Sequence, residues 1–423
     1  PGVAEACLEI EKNPEDARRY TSRGNLVAVI SNGTAVLGLG DIGALASKPV
    51  MEGKAVLFKK FAGIDCFDIE VNESDPEKLA EIVCSLEPTF GAVNLEDIKA
   101  PDCFIVERIC REKMGIPVFH DDQHGTAIVA AAAASNALIV AKKSFSEIKI
   151  VALGAGAAGI ACLKMMMVMG AKKENITMID SKGVVHTQRN DLNTEKSEFA
   201  RNTTKRTTME AMEGADLFLG VSGPGLLTQE MVKKMASHPI IFALANPTPE
   251  IMPEEAREAS PDALIATGRS DYPNQVNNVL CFPFIFRGAL DVGATTINDE
   301  MKAACVEAIA GLARETASAE LGAAYQGERL AFGPDYLIPK PFDPRLLPTI
   351  ALAVAKAAID SGVAKHNLDL DAYHAKLQTQ VYRSAVTMRP IFEAAKTDNR
   401  RVVFAEGEDV KVLRTVQAMS EEL

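Results

Sequence analysis

The chain has 423 residues, of which 47% are hydrophobic and 24% are charged, and its formal net charge is −12. This length allows two or three domains, and the composition is that of a soluble globular protein. The excess of negative charge argues against nucleic acid or an anionic membrane surface as a main partner, because both attract basic proteins.

The first 120 residues contain short apolar runs that predict strands at 26–31, 35–40 and 55–58. Asn32-Gly33 lies between the first two runs and indicates a hairpin turn. Residues 76–86 have a helical pattern that begins with Pro76, a residue favoured at the first helical position. Strands and helices together predict an α/β unit at the N-terminal end.

Lys54 stands at the head of the apolar run 55–58. A lysine that enters a buried element can have a lowered pKa and act as a general base. Most lysines in such positions instead extend the ammonium group to water. The pattern alone does not decide between the two interpretations.

Two acidic pairs, Glu96-Asp97 and Asp121-Asp122, follow predicted strands. Carboxylates at strand ends can converge on one point, and three of them without cysteine would suit a hard divalent cation, Mg²⁺ or Mn²⁺. Loop acids that simply face water are the alternative, and spacing alone favours that alternative. His120 and His124 flank the second pair and are interpreted as structural or supporting residues, since carboxylates dominate the segment.

Residues 128–141 form an apolar, alanine-rich run that is short for a membrane span and contains Ser135 and Asn136. This run is interpreted as a buried helix. The eight cysteines are scattered and form no Cys-x-x-Cys pair, which disfavours a zinc site and favours a reducing, cytoplasmic compartment.

From residue 147 onward, apolar runs alternate with helical segments. Strands are expected at 148–153, 176–180, 216–221, 240–246 and 263–267. Continuous apolar strands are typical of sheets buried on both faces, so we expect a doubly wound parallel sheet of the Rossmann type. Beyond residue 285 the pattern predicts helices at 299–321, 347–361 and 371–397.

The turn after the first of these strands has a dinucleotide-binding pattern, Gly154-Ala155-Gly156-Ala157-Ala158-Gly159. A strand precedes it, a helix follows it, and Asp180 ends the next strand, where an acid commonly binds the ribose hydroxyls of NAD. Ser181-Lys182 follow directly and could instead hold the 2′-phosphate of NADP. Asn246 and Asn277-Asn278 could donate to cofactor or substrate, although amides in loops more often form local turns.

Several runs together resemble the malic enzymes of the compact bacterial type. The matching residues are 23–29, 36–43, 51–55, the Phe-His-Asp-Asp-Gln-His-Gly-Thr run at 119–126, 245–248 and 277–278. The resemblance extends from residue 1 to about 395. It implies the oxidative decarboxylation of L-malate to pyruvate and CO₂ with reduction of NADP or NAD, of which NADP is the preferred choice.

The resemblance also implies roles for individual residues. Lys54 becomes the general base and a substrate contact, with Asp121 beside it as a second catalytic residue. Glu96, Asp97 and Asp122 become the ligands of Mg²⁺ or Mn²⁺. The dinucleotide would contact Gly154, Ala155, Gly156, Ala157, Ala158, Gly159, Asp180, Ser181, Lys182 and Asn246, and malate would contact Asn278.

Two features depart from the family pattern. In the family, a tyrosine in a Tyr-Thr-Pro-Gly run protonates the enolate, and here that tyrosine is expected just upstream of Pro1. Tyr20 lies in a context that does not match the motif. Larger malic enzymes have a substrate-binding arginine shortly after Ala-Gly-Ile, whereas Asp65 follows Ala-Gly-Ile in this chain. Recognition of the substrate carboxylate must therefore use other groups.

Four parts are expected along the chain: an N-terminal catalytic domain (1–123), an NAD(P)-binding domain (124–340), a helical segment that packs back on the catalytic domain (341–397), and the start of a truncated phosphate acetyltransferase-like domain (398–423). This last resemblance, at residues 388–413, implies the malic enzyme half of a fusion protein. A homodimer or larger assembly and regulation by acetyl-CoA through the missing half are further implications.

Two alternative functions stay open. One is a nicotinamide-dependent dehydrogenase that needs no metal and releases no CO₂. The other is a non-catalytic half of a fusion protein that senses a nucleotide or metabolite. The second alternative is disfavoured because a sensor has no need for a base and metal ligands together.

Overall fold

The computed structural model describes residues 2–316, 321, 325, 330–381, 402–409, 412, 413, 415 and 416. The helices are α1 (Val3–Lys12), α2 (Ala17–Tyr20), α3 (Ala44–Ala62), α4 (Pro76–Ser85), α5 (Asp102–Lys113), α6 (Asp121–Ala141), α7 (Ala157–Val168), α8 (Thr194–Ser197), α9 (Thr208–Ala211), α10 (Gln229–Val232), α11 (Pro253–Ala259), α12 (Phe282–Asp291), α13 (Asp299–Arg314), α14 (Leu346–Asp360) and α15 (Leu370–Val381). The strands are β1 (Leu26–Ser31), β2 (Asp65–Glu70), β3 (Ala92–Leu95), β4 (Val118–His120), β5 (Ile150–Leu153), β6 (Ile176–Asp180), β7 (Gly183–Val184), β8 (Leu217–Gly220), β9 (Ile240–Ala243) and β10 (Leu264–Thr267).

The first sheet contains four parallel strands in the order β2-β1-β3-β4. The β1 strand is completely buried, as its uninterrupted apolar sequence predicts. Since neighbouring parallel strands end at the same edge, the residues that follow β3 and β4 come together there. This edge carries both acidic pairs found in the sequence.

Two of the predicted strands in this region are wrong. Residues 35–40 form a turn closed by an isolated bridge between Val36 and Gly40, with Gly38 and Gly40 at positive φ. Asn32-Gly33 does not make a hairpin, because β1 pairs in parallel with β2 and β3 instead of with the segment that follows it.

Residues 55–58 belong to the long helix α3, not to a strand. The buried residues Met51, Lys54, Phe58 and Ala62 recur every three or four positions, which is the period of a helix. The run 55–58 was too short to distinguish the two periods. The β2 strand was not predicted, because its sequence, Asp-Cys-Phe-Asp-Ile-Glu, is neither continuously apolar nor strictly alternating, as suits a strand at the edge of the sheet.

The second sheet has the order β10-β9-β8-β5-β6-β7, and only the short β7 is antiparallel. The reversal of strand order at β5 makes this a doubly wound sheet, with a crevice at the carboxyl ends of β5 and β8. The α/β class and the Rossmann-type sheet are thus confirmed. The strands are shorter than predicted by up to three residues at an end.

The alanine-rich run lies in α6, which packs against α7 and α13. Among the described residues α6 is the one helix long and apolar enough to cross a membrane, and most of it is buried inside the protein. Of the predicted helix at 299–321, the part up to Arg314 is α13, and residues 317–320 lie outside the described residues; the predicted helix at 347–361 corresponds to α14. Of the predicted helix at 371–397, the part up to Val381 is α15, and residues 382–401 lie outside the described residues.

Candidate functional site

Lys54 lies on the buried face of α3, next to the carboxyl edge of the first sheet. Glu96 and Asp97 follow β3, and Asp121 and Asp122 begin α6 directly after β4. The structure therefore brings together five side chains that the sequence singled out, from three separate segments of the first 122 residues.

The ammonium of Lys54 is enclosed by acceptors and an aromatic ring. It donates to Oδ2 of Asp121 at 2.5 Å and lies 3.0 Å from Oε1 of Glu96. The ring of Phe282 is 4.1 Å away, close enough for a cation–π contact. Asn278 also donates to Oδ2 of Asp121, at 2.7 Å. A lysine, an acid and an amide thus share one point.

The expected behaviour of an entering lysine does not occur here. Lys54 is 7% exposed, so its ammonium does not extend to water. Burial works to lower the pKa of Lys54, but the charges of Asp121 and Glu96 outweigh burial and raise it. The structure thus matches neither of the two alternatives that the sequence left open, a lysine that extends to water and a lysine whose pKa is lowered.

Glu96, Asp97 and Asp122 each place a carboxylate oxygen within 4.8 Å of the others. Burial first, and then repulsion between these charges, raises the pKa of Asp97 to about 8. Burial likewise raises the pKa of Glu96 to about 7 and that of Asp122 to about 6. The raised pKa values mean that ionising all three carboxyl groups together is unfavourable. A bound cation would offset their mutual repulsion and make the ionised form favourable.

A divalent cation fits this set on a second ground. Oδ2 of Asp97 is buried and has no hydrogen-bond partner in the described structure. Asp97 has a φ of 52°, an uncommon conformation for a residue other than glycine, and its N–H donates to Oδ2 of Asp122 at 2.8 Å. Hard oxygen donors with a free buried oxygen match Mg²⁺ or Mn²⁺.

Two residues that the sequence analysis missed hold the carboxylates in position. Asn94 is fully buried and donates to Oε2 of Glu96 at 2.7 Å. Gly125 leaves room for Asp121, since a Cβ there would lie 1.9 Å from Oδ1 of Asp121. The two-residue spacing of Asn94 and Glu96 puts both on one face of the chain at the end of β3, which was a usable signal.

That the two histidines beside the acidic pair are structural or supporting residues stays a prediction. His120 is fully buried, and Nδ1 lies 3.7 Å from Asp122. His124 contacts Oε1 of the buried Glu107 at 2.7 Å. This contact ties the first turn of α6 to α5, and burial is the main cause that lowers the pKa of His124.

The glycine turn lies in a cleft of about 900 Å³ at the carboxyl ends of β5 and β6. Gly154 has a φ of 121°, and a Cβ at Gly159 would lie 2.0 Å from the carbonyl oxygen of Gly154. A Cβ at Gly156 would meet nothing within 4 Å, so the space beside it is open. This is the arrangement that a pyrophosphate at the N-terminus of α7 requires.

Asp180, Ser181 and Lys182 line the same cleft, while Ala157 and Ala158 begin α7. Asn246 is exposed in the loop after β9, where its amide lies beside Gly268. The loops after β8 and β9 are joined by the buried Glu250, which accepts hydrogen bonds from the N–H groups of Ser222 and Ala245. The sequence analysis did not identify Glu250.

Asp180 is surrounded by cations. Arg189 donates to both of its oxygens, at 2.8 and 2.9 Å, and Lys196 donates to Oδ2 at 3.0 Å. Burial opposes ionisation, but the hydrogen bonds from Arg189 and Lys196 outweigh it, and the pKa of Asp180 falls to about 2. The sequence analysis did not anticipate Arg189 or Lys196.

Comparison with known proteins finds two family models along the chain. Residues 1–81 match the model "Malic enzyme, N-terminal domain", and residues 123–325 match "Malic enzyme, NAD binding domain". The chain is 62% identical over 420 residues to the NADP-dependent malic enzyme of Haemophilus influenzae. This alignment covers 99% of this chain and 56% of that protein. It is 61% identical to the NAD-dependent malic enzyme of Rhizobium meliloti, with 100% of this chain and 55% of that protein covered.

The chain spans about half the length of these curated relatives. Among solved structures, the malic enzyme of Pyrococcus horikoshii is 41% identical and superposes with a TM-score of 0.83, covering 92% of this chain and 89% of that one. Both family models, the near-complete match to a solved structure and the geometry of the site agree: the chain belongs to the malic enzyme family.

Proposed function

We propose that the protein catalyses the metal-dependent oxidative decarboxylation of L-malate to pyruvate and CO₂, with reduction of a nicotinamide dinucleotide. The observation that carries the proposal is the meeting of Lys54 and Asp121 with three converging carboxylates at one sheet edge. A dinucleotide cleft lies on the neighbouring sheet. Oxidation at C2 followed by loss of a carboxylate needs a base, a Lewis acid and a hydride acceptor, and the site offers a place for each.

Lys54 serves as the general base at the C2 hydroxyl in this proposal. Its proton must first leave, and the 2.5 Å contact with Oδ2 of Asp121 gives it a direct route. Burial raises the pKa of Asp121 to about 7, but the carboxylates around Lys54 raise the pKa of that lysine further, so Lys54 would release its proton only when a bound cation shares the charge of those carboxylates. Asn278 donates to the same oxygen and holds the carboxyl in line.

The carboxylates of Glu96, Asp97 and Asp122 would hold Mg²⁺ or Mn²⁺, which supplies polarisation of the C2 oxygen when bound. Asn94 orients Glu96, because its amide donates a hydrogen bond to Oε2 while Oε1 faces Lys54. The buried walls exclude water from Lys54 and its partners. These residues would orient malate so that C2 faces both the base and the nicotinamide.

NADP is the cofactor that we propose. The two oxygens of Asp180 already accept four hydrogen bonds, from Arg189 twice, from Lys196 and from the N–H of Lys182. A carboxylate has about four acceptor sites, so little capacity is left for a ribose 2′-hydroxyl. The cleft is lined by Lys182, Lys196 and Arg206, and Arg189 pairs with Asp180 and Asp191 beside it. Four basic side chains therefore outnumber the two acids, and this excess of positive charge favours a 2′-phosphate.

The relatives support both cofactor choices, since one is named NADP-dependent and another NAD-dependent. Lys196→Ala should therefore raise KM for NADP by about tenfold, the loss of one charge-assisted contact to phosphate, and leave KM for NAD within about twofold. Lys172→Ala is the control, because Lys172 is exposed and does not line the cleft. Equal effects on both cofactors would contradict the assignment.

The decisive experiment follows reduced-nicotinamide absorbance with L-malate, NADP or NAD, and either Mn²⁺ or a chelator. Metal-dependent reduction with pyruvate and CO₂ as products would support the proposal. Reduction that is indifferent to chelator and releases no CO₂ would indicate a simple dehydrogenase. Dinucleotide binding without turnover would indicate the sensing function.

A homodimer or larger assembly is proposed as well. The turn after β1 and the start of α3 expose Leu37, Leu39 and Leu45 by 71%, 67% and 85%. Apolar residues exposed together are typical of a surface that another subunit covers. Light scattering on the wild type and on Leu39→Asp would test this, with a smaller particle expected for the variant.

The organisation of the longer protein is likewise a proposal. We assign residues 1–123 to a catalytic domain, 124–340 to dinucleotide binding and 341–397 to a helical return segment. The tail at 398–423 would open a phosphate acetyltransferase-like domain through which acetyl-CoA acts, and the 56% coverage of the H. influenzae relative leaves room for one. Residues 382–401 of this region lie outside the described structure. All eight cysteines are free, which supports a cytoplasmic location.

A further inference from the structure

A second cavity of about 630 Å³ lies between α5, α6, α7 and α13. Phe104 lines both this cavity and the dinucleotide cleft, so the two are neighbours on either side of one aromatic ring. The cavity is within the usual size range of small-molecule sites. Nothing in the proposed reaction uses it, and we name it the α5–α7 cavity.

The wall on the α13 side contains a buried cation, Lys302. Its side chain is 7% exposed, and its ammonium donates to Oδ1 of Asp299 at a long 3.3 Å. Asp299 is itself 67% exposed. An ammonium in such a position has lost most of its hydration and regained little in exchange. Burial accordingly lowers the pKa of Lys302.

The acid nearest to Lys302 inside the cavity is already engaged. Glu107 contacts His124 at 2.7 Å and Gln123 at 3.4 Å, and these contacts hold α5 to the first turn of α6. Its charge reaches Lys302 without an ion pair in the described structure. Glu107 therefore does not fully neutralise Lys302.

Arg111 adds a second cation to the same wall. Arg111, Lys302 and His124 line the same cavity, and the charge of Arg111 works to lower the pKa values of the other two. Its Nη2 donates to the carbonyl of Ile297 at 3.4 Å, a neutral acceptor, and no ion pair of Arg111 occurs among the described residues. By contrast, Arg108 and Lys164 at the rim pair with Glu112 and Glu198.

We propose that the α5–α7 cavity is a second ligand site, which binds a small organic dianion through Lys302 and Arg111. A carboxylate or phosphoryl group can accept hydrogen bonds from both the ammonium and the guanidinium fork; it would give Arg111 a charged acceptor and Lys302 a closer one than Asp299 at 3.3 Å. The apolar side chains of Ile160, Met165 and Val168 on α7 would contact the carbon skeleton of the ligand. The site is separate from the glycine turn and from Lys54.

Titration calorimetry on the whole protein tests the proposal with two probes, succinate and inorganic phosphate. Chelator removes divalent metal, and saturating dinucleotide fills the neighbouring cleft, so that neither established pocket competes. One probe should bind saturably at one site per chain, and the stronger of the two distinguishes a carboxylate ligand from a phosphoryl ligand. Absence of saturable binding by both probes would overturn the proposal.

Lys302→Gln and Arg111→Gln should each weaken the bound probe by about tenfold or more, as expected for one charge-assisted hydrogen bond. Lys356→Gln is the matched control, because Lys356 is an exposed helix lysine paired with Asp360 at 3.0 Å on α14. Unchanged affinity in both cavity variants would assign the binding elsewhere and refute the site. Arg111→Gln preserves the test if Lys302→Gln does not fold.

Discussion

The two acidic centres of this protein are opposites. At the edge of the first sheet, Glu96, Asp97 and Asp122 have one nearby lysine among them, and burial with mutual repulsion raises their pKa values to between about 6 and 8. In the dinucleotide cleft, Asp180 has two cationic partners, and its pKa falls to about 2. In the first centre negative charges outnumber positive ones, and in the second centre positive charges outnumber negative ones.

This difference shows that an acidic residue is informative only together with its neighbours. A cluster with surplus negative charge is stabilised by a bound cation, whereas a carboxylate saturated by arginine and lysine leaves a surface suited to a phosphate. Substitutions on the two sides should therefore change different measurements.

Lys54→Met should reduce kcat by roughly 10²- to 10⁴-fold, the usual contribution of a general base. Dinucleotide affinity, measured by fluorescence titration, should stay within about twofold, because Lys54 does not line the dinucleotide cleft. Lys59→Met is the control, since Lys59 is exposed on the same helix and pairs with Asp65 at the surface. A variant at Lys54 with normal turnover would remove this residue as the base.

Gly125→Ala should lower kcat by about a hundredfold, because the new Cβ would lie 1.9 Å from Oδ1 of Asp121 and must displace that carboxyl from Lys54. Gly53→Ala provides the matched control on α3, where a Cβ would meet nothing within 4 Å. That control should retain activity and gain about 0.5–1 kcal/mol of stability. Equal kinetics in the two variants would show that the position of Asp121 is unimportant.

The sequence predicted the acidic residues of the site better than it predicted what holds them. β1, β3, β4 and β6 are short, mainly apolar runs, so their carboxyl ends, and the acids at or after those ends, could be placed from the sequence. The contact between Lys54 and Asp121 joins residues 67 positions apart and depends on how α3 packs. No local pattern contains that information.

The wrong strand predictions arise because short apolar runs do not show whether they repeat with the period of a helix or of a strand. A four-residue apolar run fits a helix and a strand equally well, so residues 55–58 could not be assigned without the flanking buried positions of α3. The turn at 35–40 resembles a strand in composition, but two of its glycines are at positive φ. Asn94 acts through a single hydrogen bond to Glu96, and Gly125 acts by having no Cβ beside Asp121. Neither property is visible as a pattern in the sequence.

Asp97→Asn and Asp180→Asn form a reciprocal pair that sharpens the comparison. Asp97→Asn should weaken Mn²⁺ binding, followed by electron paramagnetic resonance of free Mn²⁺, by at least roughly tenfold, and leave dinucleotide affinity unchanged. Asp180→Asn should leave Mn²⁺ binding unchanged, because Asp180 lies in the other sheet. If both substitutions weakened Mn²⁺ binding alike, the cation would not be held at the first sheet.

The smallest effect is on stability as a function of pH in the presence of chelator. The pKa of Asp97 is raised to about 8 from an ordinary 3.8, so the folded state binds more protons than the unfolded state between these values. The stabilisation is complete below pH 3.8 and is lost as the pH rises through about 8. The melting temperature without metal should therefore fall from pH 6 to pH 8.

Asp180 has the opposite sign and a different window. With a pKa lowered from 3.8 to about 2, it stabilises the fold above pH 3.8 and loses that contribution as the pH falls through about 2, so it adds no slope near neutrality. Asp97→Asn should flatten the slope between pH 6 and 8, and Asp180→Asn should not. Excess Mn²⁺ should raise the melting temperature most at pH 8, where the ligands bind metal without releasing protons. A chelated wild type whose melting temperature is constant over this range would show that the carboxylates are not crowded, and the contrast between the two centres would fail.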